Sequence, residues 1–370
     1  MRKIQMVDLQ TQYQHIKADI DRGIAEVIDS SAFIKGPKVS AFQEHLEAYT
    51  GAKHVIGVGN GTDALQIALM ALGLKPGDEV ITPTFTFIAT AEVVALLGLT
   101  PVVVDVDWGT MNISVEGIRK AITQKTKAIV PVHLFGQCAN MEAIMAIAKE
   151  HHLFVVEDAC QAIGAEYKGR QAGTIGDIGC TSFFPSKNLG CYGDGGALFT
   201  NDDALAEKIK AIANHGCFLR YHHDFVGVNS RLDSIQAAIL DAKLPHLDEY
   251  IVNRQHAAAY YDKAFAGHPH ILIPEHEPNS THVYHQYTLR LIDVNRDKVK
   301  EYLATHDIPA MVYYPIPLHL QKAYQDPRYK AGDFPVAERL MNCVLSLPMH
   351  TELDEEQLEY ITRNVIQAIG

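Results

Sequence analysis

The chain has 370 residues, 47% of them hydrophobic and 21% charged, with 32 basic and 44 acidic side chains and a formal net charge of −12. That balance fits an ordinary folded protein and makes disorder and repeats poor explanations. An acidic chain with no run of four Lys/Arg suits neither nucleic acid nor, lacking a stretch of about 20 apolar residues, a membrane; MRKIQMVDLQTQYQ lacks the apolar core of a secretory signal, so the cytoplasm is the expected compartment.

In chain order, Tyr13–Ile28 carries Ile16, Ile20, Ile24, Val27 and Ile28 on one stripe, predicting an amphipathic helix packed on the body or on a second subunit. Apolar β-type runs follow at His54–Val58, Glu79–Pro83, Pro101–Asp105, Ala128–His133 and Phe154–Glu157. Between them Thr62–Leu72, Thr86–Leu97, Val115–Thr123 and Met141–Glu150 have helical spacing, with Thr62–Asp63, Ser114 and Asn140 as starting signals. Strands apolar on both faces and separated by helices imply a parallel sheet covered on both sides, an α/β fold. Asn201–His215, Leu232–Leu244 (ended by Pro245) and His246–Phe265 read as helices. After the loop His268–Pro278, the order strand Tyr284–Ile292, helix Arg296–His306, strand Met311–Tyr314 and helix Asp354–Ile369 predicts a smaller α+β unit. The expected division is a large domain over 1–245 and a small one over 246–370.

Six cysteines without a C-x-x-C pair argue against a disulfide scaffold or a Cys-rich zinc site. Nineteen histidines include adjacent pairs such as His222–His223, which lack the i, i+4 spacing that ligates a metal from one helical face; no metal is expected.

Three segments carry chemistry. Gly57-Val58-Gly59-Asn60-Gly61-Thr62 joins a strand to a helix, where free N–H groups, a hydroxyl and the helix dipole suit a phosphate. It reads equally as a Gly-rich turn without ligand. A dinucleotide-binding reading is weaker, since Thr62 stands at the last glycine position of the fingerprint and Asp78 lies before a strand instead of at its end. In Val155-Val156-Glu157-Asp158-Ala159-Cys160-Gln161 an acid closes a buried strand, in need of a cationic partner or a cap to serve. In Ser182–Gly196 a single lysine, Lys187, sits in an apolar, Gly-rich setting that lowers an amine pKa; alone it also reads as a solvated surface lysine. The order of the set decides: phosphate turn, aromatics at Phe85 and Phe87, Asp158 at a strand end and Lys187 29 positions later. These supply an anion cradle, a stacking surface, a pyridinium partner and a Schiff-base amine, the needs of pyridoxal phosphate.

These residues resemble the DegT/DnrJ/StrS sugar-nucleotide aminotransferases among the fold-type I pyridoxal-phosphate enzymes. The likeness runs from Val7-Asp8-Leu9 through Pro185-Ser186-Lys187-Asn188-Leu189-Gly190 to Gly227–Asp233. It implies a large domain with a mostly parallel seven-stranded sheet, a small C-terminal domain, and homodimers with shared active sites. It implies Lys187 as Schiff-base lysine and proton shuttle, Asp158 on the pyridine nitrogen, Gln161 on the 3-hydroxyl, Phe87 on the ring, and Gly61, Thr62 and Ser182 on the phosphate. Asn229 would reach the neighbour's phosphate, and Arg231 a donor carboxylate or a diphosphate oxygen, unless it pairs with Asp233. His215–His223 and Tyr313–Gln321 look most like enzymes that aminate C3 of a dTDP- or UDP-linked 3-keto hexose with L-glutamate. Phe184, Tyr313, Tyr314 and His319 would line the sugar pocket, although Phe184 stands where such enzymes often carry Tyr, and Tyr313 where they often carry His. Amination at C4, a pyridoxamine-dependent sugar dehydratase (disfavoured by Lys187) and a non-catalytic regulatory relative are the alternatives.

Overall fold

A computed structural model describes residues 2–370. Seven strands form the central sheet: β1 (His54–Val58), β2 (Glu79–Pro83), β3 (Thr100–Val104), β4 (Thr126–Ile129), β5 (Phe154–Asp158), β6 (Ile178–Ser182) and β7 (Gly196–Thr200). Their spatial order is β1-β7-β6-β5-β4-β2-β3. Only β7 runs antiparallel to its neighbours, pairing Val58 with Gly196 on β1 and Ser182 with Gly196 on β6.

The reason for this architecture lies in consecutive apolar residues. Val80/Ile81, Ala128/Ile129 and Val155/Val156 send alternate side chains to opposite faces, as a pleated strand must. Ile81, Ile129 and Val155 join one core with Phe42 and Leu46 of helix Pro37–Thr50 and Ile144 and Ile147 of helix Met141–His151. Val80, Ala128 and Val156 join the other, under helices Gly61–Ala71, Ala89–Leu96 and Asp203–Ile212. Each fully buried Ile or Leu in these layers contributes about 1.5–3 kcal/mol, enough to override modest local propensities. The six parallel strands bring Asn60–Thr62, Thr84–Phe87, Asp158 and Ser182 to one edge of the sheet, the carboxyl ends where open α/β sheets place ligands.

A second, antiparallel sheet joins Ile271–Leu272, Tyr287–Leu291 and Val344–Leu347. Helices Leu247–Phe265, Arg296–Thr305 and Glu355–Ile369 cover it, and Ile4 from the N-terminus enters the same core.

Several sequence expectations shift. The Tyr13–Ile28 helix is broken at Ile16 into Leu9–His15 and Lys17–Ser30, with Ile16 and Ile20 packed on Ile239. The helix expected from Thr86 begins at Ala89, leaving Thr86 and Phe87 in the preceding turn. Met311–Tyr314 is not a strand; only Met311 bridges to Ser346, because Pro309 and Pro315 bracket the segment and offer no N–H. Helix Pro37–Thr50, marked by proline at its start and Gly51 in the left-handed region at its end, went unpredicted. Among the described residues no helix is long and apolar enough to cross a membrane, and no group of three or more His, Cys, Asp or Glu is placed to hold a metal.

Candidate active site

A cavity of about 800 Å3 opens at the carboxyl edge of the sheet. Asn60, Gly61 and Thr62 line it from the start of helix Gly61–Ala71, where the cap is Asn60, whose side chain accepts from Asp63 N at 2.8 Å. The helix thus presents the free N–H groups and positive end of its dipole to the cavity. Gly61 is required by contact: a Cβ there would lie 2.8 Å from Ser182 Cβ and 2.9 Å from Cys160 Sγ. Phe87, 54% exposed, and Phe184, 53% exposed, lie on the open side. Tyr314 packs edge-on to Phe85 with ring centres 6.0 Å apart, and Tyr313 adjoins it.

Asp158 is buried at the end of β5 and held by two donors: Thr90 Oγ1 at 2.8 Å on Oδ2 and Cys160 N at 3.2 Å on Oδ1. Gln161 is fixed by Phe135 N, which donates to its Oε1 at 2.8 Å, and by its own Nε2, which donates to Tyr314 Oη at 3.2 Å. One Gln161 amide hydrogen remains. The Lys187 ε-amine lines the cavity without a hydrogen bond to any described residue. Burial lowers its pKa below the ordinary lysine value, and the thiol of Cys160 and carboxylate of Asp158 only partly oppose that shift. A buried amine with a depressed pKa is a nucleophile for a carbonyl.

The neighbouring acid, Glu157, has a different task. It is fully buried and accepts from Gly173 N, Ile175 N, Gly176 N and His133 Nε2 at 2.6–2.9 Å, anchoring the 173–176 loop behind β5. Of the pair at the strand end, only Asp158 faces the cavity.

The structure brings together Gly61, Thr62, Phe87, Asp158, Gln161, Ser182, Phe184, Lys187, Tyr313 and Tyr314. Asn229, Arg231 and His319 do not line that cavity. For His319 this is a correction: Nδ1 is 2.8 Å from Thr84 Oγ1 and Nε2 3.1 Å from Glu338 Oε1, so both nitrogens are engaged and the ring packs on Phe334. It joins Thr84, after β2, to helix Pro335–Cys343 and has no nitrogen left for a sugar. Arg231 forms no ion pair with Asp233 or another described acid, and its Nε is buried without a partner. Sequence reading missed Thr90, Asp194, His285 and Gln286; only Thr90, three residues after Phe87 within the helix expected from Thr86, had a positional hint.

The donor set fits pyridoxal phosphate: a glycine cradle at a helix start, a fixed carboxylate on the floor and an unpartnered amine opposite. Fold and cavity define a fold-type I pyridoxal-phosphate enzyme. The chain belongs to the DegT/DnrJ/EryC1/StrS aminotransferase family, whose profile matches residues 14–366. It is 50% identical over 362 residues to UDP-2-acetamido-2-deoxy-3-oxo-D-glucuronate aminotransferase of Pseudomonas aeruginosa, covering 97% of this chain and 98% of that one. A protein of Geobacillus stearothermophilus named pleiotropic regulatory protein is 49% identical, covering 98% of each chain. Among solved structures, DesV of S. venezuelae in complex with a ketimine intermediate superposes with a TM-score of 0.96 at 40% identity, covering 99% of this chain and 98% of that one. Membership in this family displaces the nicotinamide dehydrogenase reading.

Proposed function

We propose that the protein transfers the amino group of L-glutamate to C3 of a nucleotide-linked 3-keto hexose, with pyridoxal phosphate as cofactor, in amino-sugar biosynthesis. The observation that carries this reading is the half-buried, unpartnered Lys187 amine, its pKa lowered by desolvation, in the same cavity as Asp158. The Pseudomonas relative, named for a 3-oxo sugar nucleotide, favours C3 over C4. Retention of Lys187 with Asp158 and Gln161 favours an aminotransferase over a dehydratase or a purely regulatory role.

When bound, pyridoxal phosphate supplies an electron-accepting ring and a carbon that stores the amino group between two half-reactions. Gly61 and Thr62 N–H groups and the Ser182 hydroxyl would hold the phosphate, Phe87 would cover a ring face, and Gln161 would give its remaining amide hydrogen to the 3-hydroxyl. Asp158, oriented by Thr90 and Cys160 N, would hold a proton on the ring nitrogen. Lys187 takes the proton from Cα of glutamate and, in the second half-reaction, delivers one to C3 of the sugar. Phe184, Tyr313 and Tyr314 border the space left for the hexose, and a cavity of about 800 Å3 is within the size range of ligand pockets.

The active form in this reading is a homodimer. Phe218, Leu219, Tyr221 and Val226 on and beside the hairpin Cys217–His223 are exposed, Val226 at 86%, as are Phe33 and Ile34. Asn229 and Arg231 adjoin these segments and lie outside their own chain's cavity, consistent with service to a partner's phosphate and to substrate anions. Division at 245/246 separates the central sheet from the small one. Free cysteines fit a cytoplasmic enzyme. The test offers the purified protein glutamate and a panel of UDP- and dTDP-linked 3- and 4-keto hexoses and locates the new amine by mass spectrometry; amination at C4 alone overturns the C3 assignment. Mixing inactive K187A and N229A protein tests the shared site, since mixed dimers regain one complete site only if Asn229 crosses over.

A further inference from the structure

His285 lines the cavity yet is 6% exposed, and neither ring nitrogen has a hydrogen-bond partner among the described residues. Its Nδ1 is sealed from solvent. The backbone that carries it is clamped on three sides. Asn188 Nδ2 donates to Val283 O at 2.8 Å, Arg254 Nη1 donates to Tyr284 O at 3.0 Å, and Gln286 N donates to Phe135 O at 3.2 Å. Gly136, at φ +114°, lets that backbone approach: a Cβ there would lie 2.9 Å from His285 N. A side chain held this firmly with both polar atoms idle is poised for a ligand.

The protonation state follows from the surroundings. Burial, then the positive charges of Lys187 and Arg254, hold the imidazole well below its ordinary pKa, so it is neutral. A neutral ring carries one proton. On sealed Nδ1 that proton would be an orphaned buried donor, whereas a lone pair left unpaired there costs less. The proton therefore sits on Nε2, the nitrogen turned to the cavity. A neutral donor matches a carbonyl oxygen better than a carboxylate, which would draw a second proton onto the ring. It also leaves Lys187 as the member of the pair that moves protons, while His285 keeps its own.

We propose that His285 is a further catalytic residue, a neutral hydrogen-bond donor from Nε2 to the keto oxygen of the sugar at the carbon that receives the amine. The bond polarises the carbonyl and stabilises negative charge growing on its oxygen, and no proton leaves the ring. This rests on the aminotransferase reading above. The test compares H285L, which removes the donor, with H285Q, whose amide N–H reaches a similar position. The glutamate half-reaction is followed by loss of the cofactor's visible band and the sugar half-reaction by its return. H285L slows the sugar half about 100-fold more than the glutamate half, the usual effect of losing one such donor, and H285Q restores at least tenfold of it. Independently of turnover, 15N NMR of histidine-labelled protein shows the Nε2–H tautomer at neutral pH, and the His285 signal shifts when keto sugar binds the K187A protein. Equal slowing of both halves, an Nδ1–H or doubly protonated ring, or no shift with sugar overturns the role of His285 while leaving the aminotransferase reading intact. A wild type that bleaches with glutamate and aminates no keto sugar overturns both.

Discussion

Replacing Thr90 with valine tests how the cofactor acid is positioned. Valine keeps the branched shape of a residue 1% exposed in the first turn of helix Ala89–Leu96, so packing survives. What disappears is the 2.8 Å donor to Asp158 Oδ2, leaving the carboxylate with Cys160 N at 3.2 Å on its other oxygen. The same hydroxyl lies 3.4 Å from Phe87 O, so Thr90 links Asp158 to the backbone of Phe87. A buried hydrogen bond to a charged group is worth about 1.5–3 kcal/mol. If all of it is expressed as misalignment of Asp158, pyridoxal phosphate binds about 10- to 100-fold more weakly, and the visible circular dichroism of the bound cofactor falls. Thr90→Ser restores both because it returns the hydroxyl. Titrating cofactor-free protein with pyridoxal phosphate measures the affinity. A T90V protein with normal thermal unfolding, affinity and visible dichroism would refute the argument that Thr90 orients Asp158.

Lys187→Ala leaves noncovalent cofactor binding but lowers amination by at least about 10²–10⁴-fold, the range for a lost proton-transfer group; substantial turnover in a stopped-flow assay removes Lys187 from the reaction. Because burial depresses the Lys187 pKa, covalent capture of pyridoxal phosphate by cofactor-free protein, trapped with borohydride, rises with pH and levels off below the ordinary lysine value of 10.5. A plateau only above that value contradicts the depressed pKa. Gly61→Ala pushes a methyl to within 3 Å of Ser182 Cβ and Cys160 Sγ; overpacking costs about 1–3 kcal/mol, and isothermal titration with pyridoxal phosphate shows weaker binding. Burial raises the Glu157 pKa, but the His133 hydrogen bond and charge and the N–H groups of Gly176 and Gly173 outweigh it, and the net shift is downward from 4.5. Its stabilisation is complete above that value and disappears as pH falls toward the lower folded-state pKa. Glu157→Gln therefore costs about 3 kcal/mol in urea unfolding at pH 7, and the difference narrows in acid.

Asp158 and Lys187 were legible because each follows a buried strand, and strand ends can be found from apolar runs without knowing what packs on them. The alternation of strand and helix also conveyed the sheet, since Val80/Ile81 and Val155/Val156 are apolar on both faces. Thr90 and His285 were illegible for a different reason. Their significance comes from contacts 68 residues away for Thr90–Asp158 and from the backbone clamp on His285, and neither arrangement leaves a local pattern. His319 failed in the opposite direction: its place in the Tyr313–Gln321 segment suggested the sugar pocket, but the short helical turn at Leu318–Leu320 directs its ring to Thr84 and Glu338. The strand Val344–Leu347 escaped notice because it follows helix Pro335–Cys343 with no intervening turn residue.

The net charge of −12 gives the unpaired cations their meaning. Arg231 has a buried, unpartnered Nε, and its positive charge, after burial, helps depress the pKa of Lys35, which itself has no ion pair with any described acid. Two cations that repel each other and attract no carboxylate, in a chain with 44 acidic residues, are unfavourable unless an anion takes the place between or beside them. They adjoin Asn229 and Ile34, on the exposed segments assigned above to the subunit interface. An anionic nucleotide sugar entering a partner's cavity along that surface would meet a local positive field although the protein as a whole repels it. Arg231→Gln then raises KM for the nucleotide sugar with less effect on the rate of the glutamate half-reaction, and the increase is larger at low ionic strength.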